Sequence, residues 1–154
     1  MKRKDIIEAL YPGIFISLVL GYCITMFIGV NEIDMVPNMI GGIICCFIPT
    51  LFNTTIVLKM TAKKLKRDIS VEDAIGKTIR YTIMAALIGF LVVAWFLPVV
   101  LGIDPREMST YHTALYQAPL AALVSTVLAF VALKRYEKSV KYKKRKKTTK
   151  KEEK

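Results

Sequence analysis

The sequence predicts an all-α integral membrane protein in which four transmembrane helices form a bundle. Three observations support this fold class: 54% of the 154 residues are hydrophobic, the apolar residues form four long blocks, and the basic residues lie outside those blocks. A soluble domain with a net charge of +11 would instead spread its charge over its whole surface. The composition therefore excludes an ordinary soluble domain, a disulfide-stapled secreted module and a disordered basic protein.

Each predicted span is long enough to cross about 30 Å of hydrocarbon, which requires roughly 20 apolar residues in a helix. The four spans cover residues 10–30, 39–58, 81–101 and 114–133. The fourth span is the weakest, because Tyr116, Gln117 and Pro119 lie near its start. These blocks lack the alternation typical of β-barrel strands, and the first apolar run is too long for a cleavable signal peptide.

The basic residues predict the orientation of the spans. They precede the first span, fill the linker between the second and third, and follow the fourth, and Arg106 is the single exception among 23. The opposite connections carry acidic residues, at Glu32, Asp34, Asp104 and Glu107. By the positive-inside rule, we expect a multi-pass cell-membrane protein with both termini in the cytoplasm and both acidic loops outside.

Polar segments flank the predicted membrane domain, which covers residues 10–135. Residues 1–9 form a cytoplasmic or interfacial N-terminus. Residues 136–154 contain mostly Lys, Arg, Thr and Glu, a composition that predicts a disordered cytoplasmic tail. In the linker, Ser70 is followed by two acidic residues, which predicts a capped helix that leads into the third span.

The two halves of the membrane domain resemble each other. Each contains a helix, a short acidic connection, a proline near the entry of the next helix and a basic exit. A duplicated hairpin would make the halves parallel repeats, related by an axis along the membrane normal. The alternative is that any two consecutive transmembrane hairpins share these features, and the sequence leaves both explanations open.

The sequence offers no recognisable catalytic or metal-binding set of residues. No ionisable residue lies in the middle of a span, so we expect no membrane carboxylate for proton-coupled transport. Cys23, Cys45 and Cys46 lie in apolar surroundings and His112 has no companion ligand, so we expect no metal site and no cofactor. Because no serine or threonine has a base at helical spacing, we expect no enzyme activity.

The most polar stretch inside a span follows Pro49 in the second span. Proline removes one backbone hydrogen bond, so we expect a helix kink there. Thr50, Asn53 and Thr54 share one helical face, which must find polar partners inside the bundle or in a cavity. This face could contact an ion, a sugar or a lipid headgroup; alternatively, Asn53 bonds a neighbouring helix.

Small residues at four-residue spacing predict close contacts between helices. They occur on the second, third and fourth spans, at Gly41, Gly42, Ala85, Gly89, Ala121, Ser125 and Ala129. Such residues let helix backbones approach closely, which favours association in lipid. Because four short helices bury little surface, we expect some of these faces to serve a homo-oligomer or another membrane protein. A pore lined by small residues is the alternative.

The basic tail is a candidate for binding an anionic surface. Its charge is concentrated in Lys141, Lys143, Lys144, Arg145, Lys146 and Lys147. Beside a membrane, such a segment attracts anionic lipid headgroups by roughly 1 kcal/mol per basic residue. No nucleic-acid-binding motif accompanies these charges, so we expect lipid as the partner, with ribosomal RNA or an acidic protein as alternatives.

The end of the second span carries a further pattern, the run Phe47…Leu51-Phe52-Asn53…Val57. Together with four helices and both ends inside, this run resembles the GtrA-like family of small four-helix membrane proteins. Members of that family are associated with moving polyprenyl-phosphate-linked sugars across the membrane. The resemblance implies a functional role for Asn53, whereas Thr54 stands where the family has a basic residue and no aromatic residue follows.

The sequence leaves two classes of function open. The first is a small transporter or flippase-like protein, or a transporter subunit, that acts as an oligomer through the polar face of the second span. The second is an accessory or scaffold subunit that docks a partner through its basic tail. A holin-like pore former is a further alternative, because phage holins also combine few helices with a basic tail.

Overall fold

The computed structural model describes residues 3–28, 35–102 and 110–152. Within them the chain forms four α-helices, which are α1 (Arg3–Ile28), α2 (Met35–Lys64), α3 (Val71–Leu91) and α4 (Thr110–Glu152). All four are long and apolar enough to cross a membrane, which indicates a multi-pass membrane protein and agrees with the predicted four-helix bundle. The acidic connections fall largely on residues 29–34 and 103–109, outside the described part of the chain.

Consecutive helices run in opposite directions, and α2 lies at the centre of the bundle. α2 packs against the other three helices, α1 also packs against α4, and α3 makes few contacts with α4. At one end, Lys64 near the end of α2 contacts Glu8 near the start of α1. We call this end, with residues 3–8, 59–80 and 134–142, the basic end. The two hairpins therefore pack differently, since α1 and α2 are in close contact whereas α3 and α4 make few contacts.

The turn between α2 and α3 ends one helix sharply. Lys66 adopts a positive φ of 52°, the left-handed conformation that closes many helices. The backbone N–H of Arg67 donates to the carbonyl oxygen of Ala62 at 2.9 Å, and that of Lys66 donates to Lys63 at 3.1 Å. These two bonds form a Schellman motif, which satisfies carbonyls that the helix end leaves free.

Ser70 begins α3, as the sequence predicts. Its hydroxyl oxygen accepts a hydrogen bond from the backbone N–H of Asp73 at 3.0 Å. Ile69 packs beside Ala62 and Ala74, so the turn also buries an apolar contact. Because this cap starts α3 ten residues before the predicted span, the first turns of the helix belong to the basic end.

A π-helical segment, Val92–Val100, continues α3 where the sequence predicts an ordinary membrane helix. The backbone N–H of Leu101 donates to the carbonyl oxygen of Phe96 at 3.2 Å, which spans five residues instead of four. Pro98 has no backbone N–H and cannot complete an α-helical bond here. Wider turns are a known response to such an interruption, although their position is not encoded in apolar periodicity.

α4 continues without a break to Glu152, so residues 136–152 are helical where the sequence predicts a disordered tail. Lysine, arginine and glutamate are good helix formers, and extending an existing helix requires no new nucleus. Glu137 also pairs with Lys141 one turn later, at 3.0 Å. With 43 residues, α4 is roughly 65 Å long, about twice the hydrocarbon thickness. We call residues 141–152 the basic arm.

α2 and α3 approach most closely at two glycines. A Cβ atom on Gly89 would collide with the carbonyl oxygen of Gly42. A Cβ atom on Gly42 would lie 2.7 Å from Cγ2 of Val93 and 3.0 Å from the carbonyl oxygen of Gly89. The two backbones therefore touch at a point that admits no side chain.

We predict that Gly89→Ala lowers the thermal stability of the protein in detergent, as followed by the fluorescence of Trp95. The added methyl group forces α2 and α3 apart, and we expect a net loss of about 1–3 kcal/mol. Gly76→Ala is the matched control on the same helix, because nothing lies within 4 Å of its Cβ position. It should keep or raise the stability, since alanine is favoured over glycine in a helix by about 1 kcal/mol. Equal melting curves for the two variants would contradict the close contact.

Candidate functional site

The largest set of buried polar side chains lies along the line where α1, α2 and α4 meet. We call it the polar seam, and its members are Ser17, Thr25, Cys45, Asn53, Gln117 and Ser125. All are almost completely buried, with at most 1% of each residue exposed. The seam has an inner cluster towards the basic end and an outer cluster towards the opposite end.

α1 contributes a stripe of small residues to the seam. Gly13, Ser17, Gly21 and Thr25 recur every four residues and therefore lie on one helical face. A Cβ atom on Gly13 would collide with the side-chain amide of Asn53, and one on Gly21 would lie 3.0 Å from the Cα of Ala118. This stripe is not among the residues predicted for helix packing, although its four-residue spacing is the same as on the other three helices.

The inner cluster joins the three helices through one asparagine and two serines. Nδ2 of Asn53 on α2 donates to Oγ of Ser125 on α4 at 3.3 Å. The hydroxyl of Ser125 lies 2.8 Å from Oγ of Ser17 on α1 and 3.1 Å from the carbonyl oxygen of Ala122. Because Asn53 also fits against the bare backbone of Gly13, this cluster ties all three helices at one level.

The outer cluster is centred on Thr25. Its hydroxyl lies 2.9 Å from Oε1 of Gln117 and 2.9 Å from the carbonyl oxygen of Gly21. Sγ of Cys45 lies 3.0 Å from the same hydroxyl, so α2 joins α1 and α4 here as well. Nε2 of Gln117 reaches the hydroxyl of Tyr116 at 3.5 Å. From the sequence alone, Gln117 only weakens the fourth predicted span, and nothing singles out Thr25.

The predicted polar face of α2 lies inside the bundle. Thr50, Asn53 and Thr54 are all fully buried, so neither solvent nor lipid touches them in this arrangement. The hydroxyl of Thr54 donates to the backbone carbonyl of Thr50. Within the described residues, Oγ1 of Thr50 and Oδ1 of Asn53 have no hydrogen-bond partner. α2 continues through the buried Pro49, and the kink expected there stays a prediction.

The small residues predicted for helix packing are buried within the single chain. This holds for all seven, namely Gly41, Gly42, Ala85, Gly89, Ala121, Ser125 and Ala129. Ala85 packs with Cys46 and Leu128 in the main apolar cluster, and Ala129 packs with Val57 in a second one. Because these seven residues are already buried at contacts inside the bundle, they give no support to the predicted oligomer.

The charged residues of the predicted tail lie on the basic arm. Lys141 pairs with Glu137 and remains largely exposed. The structure gives the helical backbone of Lys143, Lys144, Arg145, Lys146 and Lys147, whose side chains are outside its description. All three cysteines are free thiols, and the described residues contain no group of three or more metal-ligating side chains.

Comparisons with protein-family models, with curated proteins and with solved structures gave no match. The resemblance to the GtrA-like family therefore stays an expectation. Hydroxyl, amide and thiol groups in the polar seam exchange hydrogen bonds with one another, and none carries a charge. Such a set is suited to holding helices together in an apolar surrounding.

We predict that Ser17 and Ser125 are energetically coupled. Ser17→Ala and Ser125→Ala should each lower the free energy of unfolding by about 1 kcal/mol, because each removes a buried hydrogen bond between helices. A double-mutant cycle should give a coupling energy of about 0.6 kcal/mol, typical of hydrogen bonds between membrane helices. The measurement is reversible unfolding in mixed detergent micelles.

Thr126→Val is the control for this cycle. Thr126 neighbours Ser125 on α4, but its hydroxyl has no hydrogen-bond partner in the described residues. Removing that hydroxyl should leave the stability unchanged or slightly higher. A coupling energy of zero between the two serines, with normal folding of all variants, would contradict the proposed role of the inner cluster.

Proposed function

We propose that the protein is a non-enzymatic, multi-pass protein of the cell membrane that acts as an accessory or scaffold subunit. In this proposal both termini are cytoplasmic, and the basic arm docks an anionic partner. The observation that supports it best is the burial of the polar seam. The side chains that a transport path would need are engaged in bonds between α1, α2 and α4.

The basic arm supports a docking role because it is helical and continuous with the membrane domain. A helix that leaves a bundle holds its charges at a defined distance and direction, whereas a disordered tail does not. Lys141 and the five basic residues at 143–147 would attract anionic headgroups or an acidic protein surface. The arm would thereby hold a partner close to the cytoplasmic face of the membrane.

The outer faces of the bundle supply the second contact that a scaffold needs. Large apolar side chains are exposed on α1, on α3 and on the π-helical segment, and they include Phe15, Phe27, Leu87 and Trp95. In a membrane these faces contact lipid or the helices of another protein. A membrane-protein partner or a second copy of the chain would bind there.

A small transporter is the second candidate, and one observation favours it. Oγ1 of Thr50 and Oδ1 of Asn53 are buried without a hydrogen-bond partner among the described residues. Buried polar atoms normally have partners, and unpaired ones at a membrane level often mark a water or ligand position. In this alternative, α1 would move away from α2 to open a path to Asn53.

We predict that removing the charge of the basic arm releases the partner. The variant replaces Lys143, Lys144, Arg145, Lys146 and Lys147 by Gln in the full chain. After mild detergent extraction from its own membranes, the wild-type chain should migrate in native electrophoresis as part of a larger assembly. The charge-depleted variant should migrate as the free chain, because the electrostatic attraction is lost.

Two comparisons separate the docking role from transport. Thr148→Ala with Thr149→Ala changes the same arm without altering charge, and it should leave the assembly intact. Thr50→Val should also leave it intact under the docking proposal. If loss of the arm charges has no effect on the assembly, while Thr50→Val abolishes the cellular function of the protein, the transporter is the better account.

A further inference from the structure

A small cleft opens at the basic end, between the end of α2, the start of α3 and the middle of α4. Its volume is about 130 Å³. Leu58 and Ala132 form its apolar floor, and both are almost fully buried. The remaining lining residues carry three cationic groups and three hydroxyl groups, from Lys77, Arg80, Arg135, Tyr81, Tyr136 and Ser139. The cleft is separate from the polar seam and from the basic arm.

The cleft follows from the way α3 packs. α3 lies tightly against α2 but makes few contacts with α4, so the two helices leave a gap at the basic end. Lys77 and Arg80 are three residues apart on α3, and Arg135 and Ser139 are four apart on α4. These spacings put each pair on one helical face. Both pairs line the same gap, and they remain exposed there.

The positive charge of the cleft is uncompensated. Among the described residues, no carboxylate lines the cleft, and none of its three cations takes part in an ion pair. Two carboxylates at this end of the bundle pair with cations outside the cleft, since Glu8 pairs with Lys64 and Glu137 pairs with Lys141. A half-enclosed site with three positive charges attracts an anion that carries more than one negative charge.

One of the cations is held in place before any ligand binds. The guanidinium of Arg80 lies 4.8 Å from the centre of the Tyr81 ring, and its Nη2 donates to the Tyr81 hydroxyl at 3.1 Å. The other N–H groups of Arg80 and the hydroxyl proton of Tyr81 remain available to a ligand. The hydroxyl of Ser139 already donates to the carbonyl oxygen of Tyr136, so the cations and Tyr81 are the main donors.

We infer that this cleft binds the phosphomonoester group of a membrane lipid. A phosphomonoester carries about −1.5 to −2 charges at neutral pH and three strong acceptor oxygens, which matches three cations and a hydroxyl donor. The apolar floor and the position at the end of the apolar helices favour a phosphate attached to a lipid over one free in solution. The inference goes beyond the docking role, and the basic arm takes no part in it.

The test uses the full chain in nanodiscs of phosphatidylcholine, with phosphatidic acid or phosphatidylglycerol added as the probe lipid. Competition with a fluorescent phosphatidic acid measures the affinity of each. The phosphomonoester, phosphatidic acid, should bind about fivefold or more tightly than the phosphodiester, because it carries the additional negative charge. Equal affinities for the two lipids would contradict the inference.

Two charge-matched double variants locate the binding site. Arg80→Gln with Arg135→Gln should weaken binding of phosphatidic acid by about tenfold or more. Lys63→Gln with Arg67→Gln removes the same charge at the same end of the bundle but outside the cleft, and it should leave binding within about twofold. An equal loss in both variants would mean general surface attraction and would overturn the site.

Two further measurements complete the test. Lys77→Gln changes an exposed side chain without a hydrogen bond or ion pair among the described residues, so it tests the cleft if the arginine variant fails to fold. It should weaken binding of phosphatidic acid by about fivefold. Inorganic phosphate in solution should not displace the lipid at equal concentration. If it does, the cleft takes phosphate from a soluble source and the assignment to a lipid is wrong.

Discussion

The close approach of α1, α2 and α4 along the polar seam is the constraint on which the rest of the bundle depends. Apolar helices gain little by contacting one another inside a hydrocarbon layer, because the lipid is as apolar as they are. Association then relies on tight backbone contact and on polar groups that need partners. Gly21 beside Ala118 supplies the first, and the bonds of Ser125 and Thr25 supply the second.

The same constraint explains why α3 differs from the other helices. α3 is held mainly by α2, through the glycine contact of Gly42 and Gly89, and it contributes nothing to the polar seam. It makes few contacts with α4, and the cationic cleft lies between these two helices at the basic end. The bundle combines a closed half, which carries the polar seam, with a more open half that exposes charge at the basic end.

The sequence predicts the number and approximate position of the helices well, because long apolar blocks and the Ser70 cap are local signals. It also singles out Asn53 and the small residues that lie inside the bundle. It does not predict the partner of Asn53, since Ser125 is 72 positions away in the chain and only packing brings them together. The sequence predicts neither the π-helical segment nor the helical conformation of the basic arm. In both places the helix continues although the local sequence, a proline in one and a polar, basic composition in the other, favours its end.

The native cysteines test most directly whether the polar seam is closed. Cys45 lies in the seam beside Thr25, whereas Cys23 on α1 is exposed on the outside of the bundle. Two variants in membrane vesicles, each retaining one of these thiols with the other cysteines replaced by Ser, are treated with a charged, water-soluble maleimide. A closed seam predicts that Cys45 reacts no faster than Cys23, because a thiol needs water to ionise and react. Much faster labelling of Cys45 would reveal an aqueous path and contradict the account.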